Sequence, residues 1–378
     1  MSEQATLSIP TARQPQTVRR QPLPFAAPAM PCVFTLELTT VCNNFCSGCA
    51  NVELSRLKRD RKNNMAYMTG WREILDALLR NAEPQKIIVR LSGGEPTLHP
   101  EFEAVVDFLE ENSIPHALLT TGRWTKLRTE NLVEIYRRCR HAAGMLVSLH
   151  GSNAASHLAF VESTERAFQE TCGNIRAASA TGIRVFTNTV LTKYACEEIE
   201  EIVELSKSLG AACAVFNRFI GEGHPLQPTE NQLLRAISTI AHLQNDGASC
   251  RIGNGFPKCF APLTAFPTVA GYELCHISPD GRVRPDNFTP HSFGNLLHQP
   301  LAEIWQSPLA EAYRWHFPNT CMDCAALPAC RGGIKSPNFL TAATGDPLMR
   351  TALSFEQIQD LKEDKGKRAL AVLALTSD

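Results

Sequence analysis

The stretch Val33-Phe34-Thr35-Leu36-Glu37-Leu38-Thr39-Thr40-Val41-Cys42-Asn43-Asn44-Phe45-Cys46-Ser47-Gly48-Cys49 decides how this chain is read. Its first seven residues form a strand-like run, and the three cysteines after it stand in C-x3-C-x2-C spacing. Three thiolates in one loop hold three corners of a [4Fe–4S] cube and leave the fourth iron open to a substrate or cosubstrate. An electron-transfer cluster would normally have a fourth cysteine close by, but the nearest are Cys32 upstream and Cys139 far downstream. Zinc, the competing reading, usually takes four ligands in CxxC pairs, often with histidine. Cys42, Cys46 and Cys49 are therefore expected to ligate a cluster that does chemistry.

The rest of the composition suits an enzyme with two cores. With 378 residues and 44% apolar content, the chain can fill a barrel-sized domain and a smaller one. A net charge of −1 argues against a nucleic-acid partner. Fourteen cysteines, with no signal peptide and no apolar run of membrane-spanning length, point to a cytoplasmic protein whose thiols serve metals rather than disulfides. Residues 1–31 are rich in Pro, Gln, Ala and Arg without apolar periodicity, and are expected to be a flexible arm. Glu3 and Pro10 argue against a transit peptide there.

From residue 33 onward apolar runs alternate with helical-period segments in six pairs, the pattern of a parallel α/β barrel or partial barrel. Strands are expected at 33–39, 86–92, 116–121, 144–149, 183–190 and 213–219. Helices are expected near 67–82, 100–113, 124–140, 160–181, 195–209 and 228–246, with Gly182 and Gly210 as C-caps. In such folds the chemistry sits after the strands. The cysteine loop follows the first strand, and the next ends in Ser92-Gly93-Gly94-Glu95-Pro96. The others end in Thr120-Thr121-Gly122, Ser148-Leu149-His150-Gly151, Thr187-Asn188-Thr189 and Asn217-Arg218-Phe219.

With these motifs in place, residues 32–225 resemble the radical S-adenosylmethionine (SAM) superfamily, through the three cysteines combined with Gly93-Gly94-Glu95-Pro96. The resemblance implies a partial (β/α)6 barrel whose cluster binds SAM and whose product is a 5′-deoxyadenosyl radical, with an electron donor such as flavodoxin or ferredoxin. The side chains suit that role. Gly93 and Gly94 let backbone carbonyls approach an ammonium, and Glu95 could help position it. Thr121, Ser148 and Asn188 offer neutral donors and acceptors, and Arg218 can fork onto a carboxylate. Singly, each of these polar residues reads equally well as a strand-end cap. Two positions depart from the family pattern. The residue before the third cysteine, commonly aromatic, is Gly48, and Ser-x-Asp is replaced by Ser148-Leu149-His150. His150 is the sole catalytic candidate, read either as a substrate-facing group or as a satisfied strand-end histidine.

Beyond residue 250 cysteines cluster again, as Cys259-x15-Cys275 and Cys321-x2-Cys324-x5-Cys330. Between them a hairpin is expected to turn at Asp280-Gly281, followed by a helix at Leu301–Trp305. This layout resembles the SPASM/twitch extensions of radical SAM enzymes, small α+β iron–sulfur domains. It departs from them in lacking a cysteine three residues beyond Cys330 and in carrying Asp286 for the hairpin's trailing cysteine. Five thiols cannot close two cubes. One auxiliary [4Fe–4S] cluster is expected, held by four of Cys259, Cys275, Cys321, Cys324 and Cys330. Two incompletely ligated clusters, with Asp286 as an oxygen ligand, and a zinc site are the alternatives. The expected division is an arm over 1–31, the barrel over 32–248, the auxiliary-cluster domain over 249–340 and a helical tail over 341–378.

Tracts such as Val147-Ser148-Leu149-His150-Gly151 and Asn188-Thr189-Val190-Leu191-Thr192 look like those of peptide maturases, including enzymes that excise part of a residue from the backbone. The resemblance implies a ribosomally made precursor peptide as substrate. The residues before the first strand are too few and too polar for a leader-binding module, which implies a separate leader-binding partner or a grip by the auxiliary domain. Oxidation, dehydration or epimerisation of a carbohydrate or other small metabolite is the alternative reaction. A non-catalytic iron–sulfur carrier is disfavoured, since a carrier has no need of Gly93-Gly94-Glu95.

Overall fold

A computed structural model describes residues 23–26, 28–49, 51, 66–253, 255–262, 268–335, 339, 345–354 and 356–357. The barrel half runs β1 (Val33–Thr39), β2 (Phe45–Cys46), α1 (Trp71–Leu79), β3 (Ile88–Gly93), α2 (Phe102–Glu111), β4 (His116–Thr120), α3 (Lys126–Arg138) and β5 (Ala142–Ser148). It continues through α4 (Ala154–Phe160), β6 (Val161–Glu162), α5 (Glu165–Ala180), β7 (Val185–Leu191), α6 (Ile199–Ser208), β8 (Cys213–Arg218), α7 (Glu230–Asn245) and β9 (Cys250–Ile252). The remainder carries β10 (Leu274–Ile277), β11 (Arg282–Arg284), β12 (Gly294–Asn295), α8 (Leu301–Trp305), α9 (Pro308–Arg314) and α10 (Leu327–Cys330).

All six expected strands form, in the order β1-β3-β4-β5-β7-β8, each parallel to the next. The sheet does not stop there. β9 adds in parallel beyond β8, and β10 adds in parallel on the free side of β1, followed by antiparallel β11 and β12. Gly281, at φ 83°, makes the expected turn between β10 and β11. The second cysteine region is thus built onto the barrel's own edge. Its buried Ile277, Val283, Trp305 and Tyr313 share one core with Phe34, Leu36 and Leu91 of the barrel. Burying that shared apolar surface is what fixes the extension to the barrel wall.

β7 shows how the strands divide their faces. Val185, Thr187, Thr189 and Leu191 are buried under the helices, while Phe186, Asn188 and Val190 are half-buried on the lumen side. The helix expected over 160–181 is divided: α4 ends at Phe160, and Val161–Glu162 pairs antiparallel with Phe45–Cys46 before α5 begins. That two-residue ladder clamps the cysteine loop.

The arm expected over 1–31 and the tail over 341–378 lie largely outside the described residues. At the arm's described end, the Phe25 ring packs 5.8 Å from Tyr272 and 6.5 Å from Phe317, so this part is docked rather than free. No described helix is long and apolar enough to cross a membrane.

A buried ion pair ties the extension to the barrel. Glu37 of β1 accepts from Arg284 Nη2 of β11 at 2.6 Å and from Asn51 Nδ2 at 3.3 Å, with His276 Nδ1 of β10 at 3.4 Å. Burial alone would raise the Glu37 carboxyl, but Arg284 and His276 outweigh it and hold the group below its ordinary value. Glu37→Ala is expected to cost about 3–5 kcal/mol, because Arg284 is left buried without its carboxylate. The carboxylate's contribution is complete above about pH 4.3, the ordinary glutamate value, and is lost as pH falls through the lower folded value. In urea titrations the gap between wild type and variant should therefore narrow in acid, and a gap indifferent to pH would refute the assignment.

Candidate active site and auxiliary cluster site

The cysteine loop is held from three sides. Gly93 has φ 124°, and a Cβ there would lie 2.5 Å from the Thr39 carbonyl oxygen. One at Gly94 would lie 2.1 Å from the Val41 oxygen and 3.1 Å from Cys42 Cβ. The paired glycines therefore let one backbone press on another at the entry to the loop, with the Gly94 and Glu95 amides donating to the Thr39 and Val41 carbonyls at 2.7 Å each. From the end of α4, just before β6, the Phe160 carbonyl accepts from the Ser47 amide at 2.9 Å.

The third hold comes from Arg123. Its Nη1 donates to the Asn43 carbonyl (3.0 Å) and to Ser163 Oγ (2.8 Å), and its Nε to Glu170 (3.0 Å). Asn43 answers through Nδ2, which donates to the Arg123 carbonyl at 2.6 Å, and its Oδ1 accepts from Thr121 Oγ1 at 3.1 Å. Asn43 and Arg123 were not singled out by sequence reading. The signal was there, since Asn43 lies inside the cysteine motif and Arg123 directly follows Thr120-Thr121-Gly122.

Glu95 turns its carboxylate inward. The fully buried group accepts from Thr97 Oγ1, from the Thr121 amide at 2.7 Å and from Thr120 Oγ1 at 2.8 and 2.9 Å. It fixes the turn that carries Thr121, and these bonds engage the oxygens that could help position an ammonium. Ser148 and Asn188 stand side by side across β5 and β7, and Asn217 of β8 donates to Asn188 Oδ1. These three form a polar row at the strands' carboxyl ends. Arg218 is spent elsewhere: its Nη1 meets both carboxylate oxygens of the buried Asp346, at 2.8 and 2.7 Å. The fork expected for a cofactor carboxylate holds the chain after the extension instead. Beyond it lies a cavity of about 200 Å³ lined by Phe219, Gly221, Glu222, Glu230 and Leu348.

His150 is buried, with its ring 4.3 Å from that of Phe160. Its Nδ1 accepts the Val190 amide, so the neutral ring carries its proton on Nε2. Burial, then the nearby His157, holds its pKa well below the usual range. At Gly48 a Cβ would lie 2.6 Å from the Phe219 ring and 2.7 Å from the Phe160 ring. Aromatic surface is thus present beside the third cysteine, contributed by two distant segments.

In the extension, Cys259, Cys321, Cys324 and Cys330 line one cavity of about 60 Å³ together with Lys258 and Leu327. Backbone amides aim at the sulfurs: Arg350 N–H at Cys259 (3.1 Å), Lys258 N–H at Cys330 (3.3 Å) and Leu353 N–H at Cys324 (3.4 Å). Such donors stabilise thiolates and tune clusters. Burial, followed by Cys330, Cys324 and Cys259, pushes the Cys321 thiol up to about 12. Beside the thiols stands Lys335, fully buried, its Nζ donating to the carbonyls of Arg331 (2.8 Å), His316 (3.1 Å) and Arg314 (3.4 Å). It has no carboxylate partner among the described residues. Its ammonium is a counter-charge for the thiolates, whose pull opposes the burial that lowers it to about 7.

Donor spacing can be set against that of a compact zinc site. Zn–S bonds of about 2.3 Å place tetrahedral thiolates about 3.8 Å apart. Neither the Cys42, Cys46 and Cys49 set nor any three of the extension's four gather to within 4.8 Å. Among the described residues, only Glu110, His116 and Cys139 converge so closely, at the opposite ends of the strands.

Cys275 does not reach the cavity. It pairs in register with Phe34 and lies fully buried in the main core, where burial raises its thiol. Asp286 is likewise occupied: Oδ1 accepts the Phe288 and Thr289 amides at 2.9 and 2.7 Å, and Oδ2 accepts from Tyr313 Oη at 3.0 Å. The expected oxygen ligand is a turn cap.

Comparison with known proteins agrees with this geometry. Residues 36–206 match the radical SAM superfamily, and residues 269–325 match the SPASM iron–sulfur cluster-binding domain. The chain is similar to an AdoMet-dependent heme synthase of Methanosarcina barkeri, 26% identical over 84% of this chain and 94% of that protein. It is equally similar to the mycofactocin maturase MftC of Mycobacterium tuberculosis, 26% identical over 82% of this chain and 80% of that one. Its fold resembles that of SuiB from Streptococcus suis, solved with the precursor peptide SuiA bound, with a TM-score of 0.70 and 16% identity over 85% of this chain and 76% of the other.

Proposed function

As the chain carries a radical SAM domain followed by an SPASM domain, it is a radical SAM enzyme dependent on SAM and iron–sulfur clusters, and we propose that it modifies a ribosomally made precursor peptide. The observation that carries the peptide reading is the similarity to a mycofactocin maturase along most of both chains.

On this reading Cys42, Cys46 and Cys49 hold the first cluster, in a loop kept rigid by Arg123, Asn43 and the β2–β6 ladder. The first cluster and SAM supply hydrogen-atom abstraction at an unactivated carbon. Gly93 and Gly94 shape the wall beside the cluster, while Glu95 sets the Thr120–Thr121 turn. Thr121, Ser148 and Asn188 offer hydrogen bonds to SAM without adding charge, and Phe160 and Phe219 provide the aromatic surface that position 48 lacks. Cys259, Cys321, Cys324 and Cys330 hold one auxiliary cluster. A leader-binding partner and a flavodoxin or ferredoxin complete the reaction.

The second reading, chemistry on a small metabolite, is favoured by the equal similarity to a heme synthase. Anaerobically reconstituted enzyme, reduced and supplied with SAM, should change the mass of a precursor peptide encoded beside it. If such peptides stay unchanged while a small metabolite is consumed, the second reading replaces the first.

A further inference from the structure

At the amino ends of the strands lies a group of side chains that neither cluster site uses. Glu110 stands in the last turn of α2, His116 opens β4, and Cys139 directly follows α3. One donor atom from each lies within 4.8 Å of the other two. Backbone bonds hold the three segments together. The Glu110 carboxylate accepts the Arg140 amide through Oε2 at 2.7 Å and the His141 amide through Oε1 at 2.9 Å. The His116 amide donates to the His141 carbonyl at 3.1 Å. Each carboxylate oxygen keeps a second lone pair.

His116 is fully buried, and its Nδ1 lies 3.1 Å from the Ile114 carbonyl, which can only accept. Burial lowers the pKa of the ring, so the neutral form carries its proton on Nδ1 and a bare lone pair on Nε2. Nε2 has no hydrogen-bond partner, and Glu110 Oε1 stands 3.7 Å from it, beyond hydrogen-bond reach. Leaving an acceptor orphaned in a core is costly. One ring nitrogen bonded to a carbonyl while the other stays open is also how metal-ligating histidines are oriented. Spacing agrees: nitrogen and oxygen donors on a tetrahedral zinc stand about 3.4 Å apart, close to the gap between Nε2 and Oε1.

We propose that Glu110, His116 and Cys139 bind one Zn2+ that clips α2, β4 and the connection from α3 to β5 together, at the end of the barrel opposite the cysteine loop. Thiolate, imidazole and carboxylate in one compact set favour zinc over magnesium and calcium, which take oxygen ligands. Cys139 binds as the thiolate and gives its proton to solvent. A water fills the fourth position. The site is independent of what the radical modifies.

The test uses reconstituted holoenzyme, stripped of loose metal on a chelating resin and given Zn2+ or Mg2+ anaerobically. Wild type should keep one Zn2+ per chain through dialysis, and Zn2+ but not Mg2+ should raise its melting temperature. X-ray absorption at the zinc edge should show a single sulfur at about 2.3 Å, with the other ligands nitrogen or oxygen at about 2.0–2.1 Å. Cys139 is half-buried and its thiol reaches the Ile135 carbonyl at 3.3 Å, so Cys139→Ala should fold. It should bind zinc more than about 100-fold more weakly, since even outer-sphere partners are worth about 10–100-fold. Cys172→Ala, on α5, should bind as wild type does. Glu110→Gln keeps an oxygen for a backbone amide but loses the anionic donor, and decides the matter in the same way should Cys139→Ala fail to fold. A wild type that keeps no zinc, a shell of three or four sulfurs, which would put the metal among the cluster thiols, or variants that bind as wild type does would overturn the proposal.

Discussion

Replacing Cys46 with alanine should abolish the release of 5′-deoxyadenosine from SAM and lower the iron content from about eight per chain to about four. Two thiolates cannot retain a cube whose fourth iron must stay open. The scaffold should survive, because Cys46 pairs with Val161 through backbone groups that alanine keeps. The remaining iron would be the auxiliary cluster, whose four thiols lie in a separate cavity. Anaerobic reduction with dithionite, chromatography of the nucleoside products and iron analysis measure both effects. SAM cleavage that persists in Cys46→Ala would remove the central assignment, and a fall to no iron at all would argue against an independent second cluster.

What could be read in advance followed the range of the interactions. Each barrel strand announced itself by a local apolar run closed by turn residues, and all six formed, because burial under helices selects for just that local pattern. β6 was missed: two residues carry no periodicity, and Val161–Glu162 is a strand only because Phe45–Cys46 lies opposite. Partners far apart in sequence were equally hidden. Nothing near Arg218 announces Asp346, 128 residues on, and nothing near Asp286 announces Tyr313, so two plausible ligand-binding groups proved to be holding the chain together. Gly93 and Gly94 were recognised as places of close approach, but the neighbour that approaches is the backbone of Thr39–Cys42, visible only once β1 and β3 lie side by side. Cysteine counting limited the extension to one full cube without naming its ligands. Strand position bears on that point, since Cys275 on β10 faces the core opposite Phe34 and does not line the cavity of the other four thiols.

Cys259 and Cys275 should therefore part company when each is changed to alanine. Cys259→Ala removes one of four thiols around the cavity, and iron should fall from about eight to about four per chain while the Cys42, Cys46 and Cys49 cluster still cleaves SAM. Cys275→Ala trims a core side chain, and should keep its iron at a cost of about 1 kcal/mol of stability. Lys335 sharpens the contrast. With the cluster in place its buried ammonium faces thiolate charge; with the cluster gone it stands among three carbonyls and the rings of Phe317, Tyr272 and Tyr313 with no anion beside it. An uncompensated buried charge is costly, so Cys259→Ala should also be the less stable of the two variants, although it loses the more exposed side chain. Iron lost from Cys275→Ala and kept in Cys259→Ala would reverse the ligand assignment. Equal iron loss in both would instead mean that the cluster draws on the core strand as well as the cavity.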